Sequence, residues 1–247
     1  MNPIHKFVGI FDSGVGGLSV LAECKRLLPH ENFVYLMDKE NFPYGSKSDE
    51  FIEKRVFALS EKLLNEHSCK AIVVACNTAT NVGIQMLRKK YNIPFVGLEP
   101  AIKPALETIK DGKVVLLTTP VTIRQKKFQD LLSRFDSKNL IILPQRDLAS
   151  LIEDNINTSG TLSSVLDFKI SSKRQTPAIF FDYPEKIYPH IEKILTPYAD
   201  AKGVVLGCTH YVFINELIER FFLERGKTVQ IFDGNIGAAK RLKSLLE

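Results

Sequence analysis

Short apolar runs at residues 7–11, 33–37, 72–75 and 95–98 alternate with longer stretches whose apolar positions recur at helical spacing. Runs of that length suit strands buried on both faces and are too short for helices of their own. The alternation predicts βα units around a parallel sheet. Helices are expected over 17–28, where Leu18, Leu21 and Leu28 share a face, and over 49–66 and 80–91. The first is expected to stop before Pro29, because proline disfavours helical geometry in the residue ahead of it.

After Glu99-Pro100 the pattern restarts, with helices expected over 101–110, 124–135 and 147–155 and strands over 114–117 and 140–143. A further strand is expected over 178–181, a helix over 185–195, and then a strand that ends at Cys208. The tail reads as a helix over 214–225, a strand over 229–232 and a helix over 236–246. The fold class is therefore α/β, in two similar units. Residues 1–98 plus 209–247 are expected to form a discontinuous first domain, with the tail strand completing its sheet, and residues 99–208 the second. Ligands of such sheets collect beyond the carboxyl ends of the strands. Asp12, Asn77, Thr118 and Thr209 fall at those ends.

Composition narrows the function classes. A chain of 247 residues that is 45% hydrophobic can bury a sizeable core. Residues 1–6 carry no apolar signal core and no apolar run is long enough for a bilayer, so a cytoplasmic protein is expected. The net charge of +5 is spread over segments of mixed sign. Nucleic acid is not an expected partner without a dense basic tract; the richest patch, 124–127, would at most attract an acidic metabolite. Four cysteines without a secretion signal read as reduced thiols. Cys24, in a helical pattern, and Cys69, in a loop before a strand, read as small buried apolar residues.

The other two cysteines share a setting. Ala71-Ile72-Val73-Val74-Ala75-Cys76-Asn77-Thr78 aligns with Gly203-Val204-Val205-Leu206-Gly207-Cys208-Thr209-His210, so one strand-to-cysteine motif occurs twice. A cysteine between a strand and a helix meets free backbone N–H groups and a positive dipole end, which favour thiolate. Two opposed thiols, one taking a proton from a stereocentre and the other giving one from the opposite face, would invert it. Small residues easing two tight turns would explain each cysteine singly; the repetition favours chemistry. Asp12 and His210 lie where they could manage the protons, although Asp12 would also suit a helix cap and His210 a satisfied polar position. Asp12-Ser13-Gly14-Val15-Gly16-Gly17 suits an anion-binding nest for a small carboxylate. Pro43-Tyr44-Gly45-Ser46 is a turn that could offer backbone N–H groups and a phenol to a substrate.

These segments resemble bacterial glutamate racemases of the cofactor-independent, two-thiol type. The likeness rests on residues 9–20, on Pro43-Tyr44-Gly45-Ser46-Lys47, on Ala75-Cys76-Asn77-Thr78-Ala79 and on Gly207-Cys208-Thr209-His210-Tyr211, with Leu98-Glu99-Pro100 and Leu151-Ile152-Glu153 in support. The resemblance implies two α/β domains related by pseudo-twofold symmetry around an enclosed substrate. It implies that Cys76 deprotonates D-glutamate with help from Asp12, and that Cys208 deprotonates L-glutamate with help from His210 and Glu153. Asp12, Ser13, Tyr44, Gly45, Asn77, Thr78, Thr122, Thr209 and His210 match substrate-contact positions. No metal or other cofactor is implied, and D-glutamate would feed peptidoglycan synthesis; a homodimer is expected on a separate ground, because it would steady two mobile domains that close on a substrate.

Three features depart from the family pattern. Val212 stands where a proline is usual, and 118–122 lacks a customary glycine; the segment 159–183 has no clear counterpart. Competing readings are a racemase of aspartate or another acidic amino acid, and a zinc-binding regulatory protein using Cys76, Cys208, His210 and Asp12. The zinc reading lacks closely paired ligands such as C-x₂-C.

Overall fold

The structure, a computed structural model, describes residues 7–135, 137–156 and 184–247. The strand expected over 178–181 and the whole segment 159–183 lie outside the described residues. The first sheet contains β1 (Phe7–Asp12), β2 (Asn32–Met37), β3 (Cys69–Val74) and β4 (Phe95–Gly97), connected through α1 (Gly17–Leu27), α2 (Asp49–His67) and α3 (Asn77–Lys90). After α4 (Ile102–Thr108), the second sheet contains β5 (Val114–Thr118), β6 (Leu140–Pro144), β7 (Gly203–Gly207) and β8 (Gln230–Asp233). Its helices are α5 (Pro120–Arg124), α6 (Lys126–Leu132), α7 (Leu148–Asp154), α8 (Pro184–Leu195) and α9 (Asn215–Leu223), and α10 (Asn235–Leu246) closes the chain.

Each sheet has four parallel strands, ordered β2-β1-β3-β4 and β6-β5-β7-β8. The two orders are the same, so β3 and β7 hold equivalent central places. Central strands of parallel sheets are covered on both faces. Val8, Ile10, Ala71 and Val73 enter a core with Leu18 and Leu21 of α1 and Leu242 of α10, whereas Phe11, Ile72 and Val74 point the other way, toward α2 and α3. The second sheet repeats this: Val115, Leu117, Val204 and Leu206 join the same shared core, while Val114, Leu116 and Val205 pack on Ile102 and Phe128. One continuous apolar layer thus unites the halves. Burying each such aliphatic side chain stabilises the fold by about 1.5–3 kcal/mol.

The tail strand departs from expectation. It was expected in the first sheet, but β8 pairs with β7 in the second, from Gly203 against Gln230 to Leu206 against Asp233. The physical reason is the crossover: β7, α9 and β8 form a βαβ unit, which returns a strand beside its predecessor. Only α10 crosses back, to pack on α1. Cys69, expected in a loop, is the first residue of β3. The helix expected over 124–135 is two pieces, α5 and α6, broken at Gln125.

Local chemistry accounts for the ends that carry the site. Ser48 caps α2 by accepting the N–H of Phe51, and Asp49 and Glu50 in its first turn complement the helix dipole. Thr80 of α3 donates its hydroxyl to the Val74 carbonyl at 3.0 Å and accepts the Leu98 N–H at 2.9 Å. That buried hydroxyl fastens α3 to the ends of β3 and β4, so the residue between strand and helix, Cys76, has little freedom.

Candidate functional site

Cys76 and Cys208 follow β3 and β7 and are 6% and 9% exposed, so both thiols sit inside the protein. Each precedes a helical turn: Cys76 caps α3, and Cys208 caps the 3-10 turn Thr209–Ile214. They are close enough for the charge on Cys208 to act at Cys76. The equivalent strands therefore bring both copies of the motif to one place.

Their surroundings are unlike. The buried Asp12 carboxylate, at the end of β1, accepts from the Cys76 thiol, from the Ser13 N–H at 2.6 Å and from the Thr209 hydroxyl at 2.9 Å. Burial pushes the Asp12 carboxyl upward, against the opposing pull of the His210 charge and these donors. Burial also drives the Cys76 thiol well above its ordinary range, with the negative charge of Asp12 adding to it, and the Ala79 N–H only partly offsets them. The expectation that the helix end favours thiolate therefore does not hold at Cys76 in this arrangement. Desolvation and a like charge outweigh one backbone donor.

At the second thiol, Nδ1 of His210 lies 3.8 Å from Sγ of Cys208, and Nε2 lies 2.7 Å from Oε2 of Glu153. Burial alone would lower the imidazole, yet Cys208 and Glu153, with the Asp12 charge behind them, push it up to about 10. The ring is thus held protonated between Cys208 and Glu153, and it packs 5.1 Å from the Phe42 ring.

The glycine loop has a different occupant from the one expected. The Val15 N–H donates to Oε2 of Glu153 at 3.0 Å, and the Tyr35 hydroxyl donates to the Gly14 carbonyl at 2.6 Å. Part of the nest is therefore spent on Glu153, a carboxylate of the protein itself, supplied by α7 of the other half. The glycines serve this close approach: a Cβ on Gly14 would lie 2.6 Å from Oε2 of Glu153 and 2.8 Å from Nε2 of His210. Asp12 does not cap α1, whose N-cap is Gly16.

The remaining predicted residues line the same region with hydroxyls and amides. Thr78 Oγ1 is 3.1 Å from Thr119 Oγ1, which is 3.0 Å from Thr122 Oγ1, a buried chain joining α3 to α5. Among the described residues, Oδ1 of the buried Asn77 has no hydrogen-bond partner. Tyr44 corrects the sequence reading: its hydroxyl donates to Asp38 at 2.5 Å, so the phenol is committed to the protein, and Gly45 abuts Thr119. The patch at 124–127 is largely neutralised, since Lys126 pairs with Asp130 and Lys127 with Glu99. An open cleft of about 470 Å³ runs between α3 and α6, with Asn81, one turn beyond Asn77, on its wall.

Sequence reasoning missed Thr119, Tyr35, Phe42 and Asp38. For Thr119 a signal existed: Thr followed by Pro marks an N-cap and first helical position, and Thr119 does cap α5 by accepting the Thr122 N–H. The others reach the site through strand register and loop packing, which leave no local signature. Among the described residues no three His, Cys, Asp or Glu side chains converge as metal ligands.

Two like parallel sheets, each with a cysteine just beyond the end of its equivalent central strand and the two thiols within electrostatic reach of one another, define an α/β protein with a doubled thiol site. The sequence profile of the Asp/Glu/hydantoin racemases matches residues 15–167. A glutamate racemase of Clostridium novyi (strain NT) is 40% identical over 241 residues, covering 97% of this chain and 83% of that protein. The crystal structure of Escherichia coli glutamate racemase in complex with L-glutamate and the activator UDP-MurNAc-Ala has a TM-score of 0.77 at 31% identity, covering 98% of this chain and 82% of that one. The glutamate racemase of Francisella tularensis in complex with D-glutamate gives 0.70 at 26%, covering 98% and 81%. The chain belongs to the Asp/Glu/hydantoin racemase family, among the glutamate racemases.

Proposed function

We propose that this protein interconverts L- and D-glutamate by acid/base chemistry at Cys76 and Cys208, without a cofactor. The observation that carries the reading is the pairing of two thiols at equivalent strand ends with opposite proton environments. Beside Cys208 stands a protonated imidazole, which stabilises a thiolate; beside Cys76 stands a carboxylate that disfavours one. In the L-to-D direction Cys208 takes the α-proton of L-glutamate while the Cys76 thiol delivers one to the opposite face. In the reverse direction Cys76 must lose its proton first, with Asp12 as its acceptor. Proton transfer by a placed side chain contributes about 10²–10⁴-fold to a rate.

The substrate is held by the polar surround. Oδ1 of Asn77 suits the ammonium group, and the hydroxyls of Thr78 and Thr122 with the backbone at Gly45 suit the carboxylates, while Ser13 and Thr209 border the substrate with their hydroxyls donated to Asp12. D-Glutamate made this way would supply peptidoglycan synthesis. We place the protein in the cytoplasm as a homodimer; among the described residues no helix is long and apolar enough to cross a membrane. The two lobes on either side of the substrate would follow the two sheets, with β8 in the second.

Incubation with L-glutamate in deuterated water tests the reaction. The expected result is D-glutamate carrying α-deuterium; absence of both sinks the proposal. Rates with aspartate measured alongside decide the substrate, and a clearly faster aspartate reaction would reassign it.

A further inference from the structure

We infer that Asp38 and Arg55 are positioning residues that hold the loop carrying Tyr44 and Gly45 against the substrate, and so set how tightly the acidic amino acid binds. This rests on the racemization proposed above. Asp38 immediately follows β2, and its backbone N–H donates to the Asp12 carbonyl at 2.9 Å, which puts it on the sheet edge beside the site. Its side chain is 6% exposed. Oδ2 accepts from the Tyr44 hydroxyl at 2.5 Å and from Nε of Arg55 at 2.8 Å. Oδ1 accepts from the second guanidinium nitrogen at 2.7 Å and from the Asn41 amide at 2.9 Å. A carboxylate offers about four lone-pair sites, and all are taken.

The geometry makes Asp38 a hub for three separate pieces of chain. Arg55 comes from α2 and forks onto both oxygens, the arrangement that gives arginine pairs their directional strength. Tyr44 comes from the loop, with its ring fully buried among Phe11, Ile52 and Cys76. The next residue, Gly45, is so close to Thr119 that a Cβ would sit 3.3 Å from that side chain. The loop is therefore pinned on one side by Asp38 and Arg55 and stopped on the other by the Thr78–Thr119–Thr122 hydroxyl chain. A loop placed this way presents the Gly45 backbone to the pocket at one position, and loss of either pin lets it drift. The bidentate pair also cancels the charge of Arg55, leaving no net cation from that pair to grip the carboxylates of the substrate.

Steady-state constants for glutamate, read with thermal unfolding midpoints, test this on Asp38→Asn, Arg55→Lys, Arg55→Met and Tyr44→Phe. Positioning predicts that all four raise KM, about tenfold for Asp38→Asn and Tyr44→Phe, with kcat changed less than threefold and Arg55→Lys milder than Arg55→Met. The double variant Asp38→Asn/Tyr44→Phe is expected to be no worse than the more severe single one, since both break the same bond. A long-range charge effect would instead lower KM in Asp38→Asn and raise it in Arg55→Met, and that pattern overturns the proposal. So does an unchanged KM with only a lowered unfolding midpoint, the mark of a purely structural role. Should Asp38→Asn fail to fold, Tyr44→Phe decides alone. The unsubstituted protein is assayed in parallel on glutamate and aspartate: if aspartate is the faster substrate, the substrate reading fails while the same KM ratios, read on aspartate, still judge Asp38 and Arg55.

Discussion

The hydroxyl of Thr209 donates to the carboxylate of Asp12 across 2.9 Å, so the residue after one cysteine holds the group that accepts from the other. The two proton-transfer halves share a bond. A hydrogen bond to a charged group contributes about 1.5–3 kcal/mol, so Thr209→Ala is expected to lower kcat/KM about tenfold to 100-fold. Because the equilibrium constant of racemization in water is unity, the loss must be equal from the L and D sides. Rates from both enantiomers check this; a loss below twofold would remove the bond from the mechanism.

Replacing either thiol by a hydroxyl makes the proton carrier a far weaker acid, with a pKa far above the working range. Cys76→Ser and Cys208→Ser are each expected to reduce turnover by about 10²–10⁴-fold. Circular dichroism at an absorbing band of glutamate follows both. An unchanged rate in either variant excludes that residue.

The imidazole of His210 is pushed up to about 10 against an ordinary 6.5. A raised folded-state value means that the favourable interaction with Cys208 and Glu153 is fully present below pH 6.5 and is lost as pH rises toward 10. The gap in unfolding midpoint between the natural protein and Glu153→Gln is therefore expected to be largest near pH 6 and to shrink by pH 10. A gap that widens with pH contradicts the charge pairing.

Gly14→Ala places a methyl group 2.6 Å from Oε2 of Glu153 and 2.9 Å from the Phe42 ring. Overpacking of this kind costs about 1–3 kcal/mol. The variant is expected to lose that much in chemical denaturation, and at least tenfold in turnover because Glu153 is driven off Val15 and His210. Full activity would show that Glu153 need not occupy this position.

Burial pushes the Cys24 and Cys69 thiols up to about 12 and about 11, and both are fully enclosed. Cys24→Ala and Cys69→Ala are expected to keep turnover within twofold while losing about 1 kcal/mol of stability. A steady-state assay with denaturant titration separates the two effects.

Much of the architecture was legible in the chain because buried parallel strands have to be short apolar runs and their crossovers have to be amphipathic. The runs before Cys76 and Cys208 and the helices of the first sheet fall where periodicity puts them. The tail strand was misplaced because its apolar pattern states that it is buried, not which edge it pairs with; the βαβ connection from β7 decides that. The Asp38 bond to the Tyr44 hydroxyl was not legible, because a tyrosine in a turn has no visible partner in sequence and Asp38, six positions earlier, accepts from it only in the folded chain.

The sequence by itself determined the class of fold and the presence of two like thiols, since hydrophobic periodicity and a repeated motif are properties of neighbouring residues. Tertiary structure alone decided how the surroundings of the two thiols differ electrostatically. Cys76 is pressed upward by burial and by Asp12, which arrives from β1, while Cys208 faces an imidazole that Glu153 holds protonated from α7. Acidity depends on charge and solvent within a few ångströms, and residues far apart in the chain supply both.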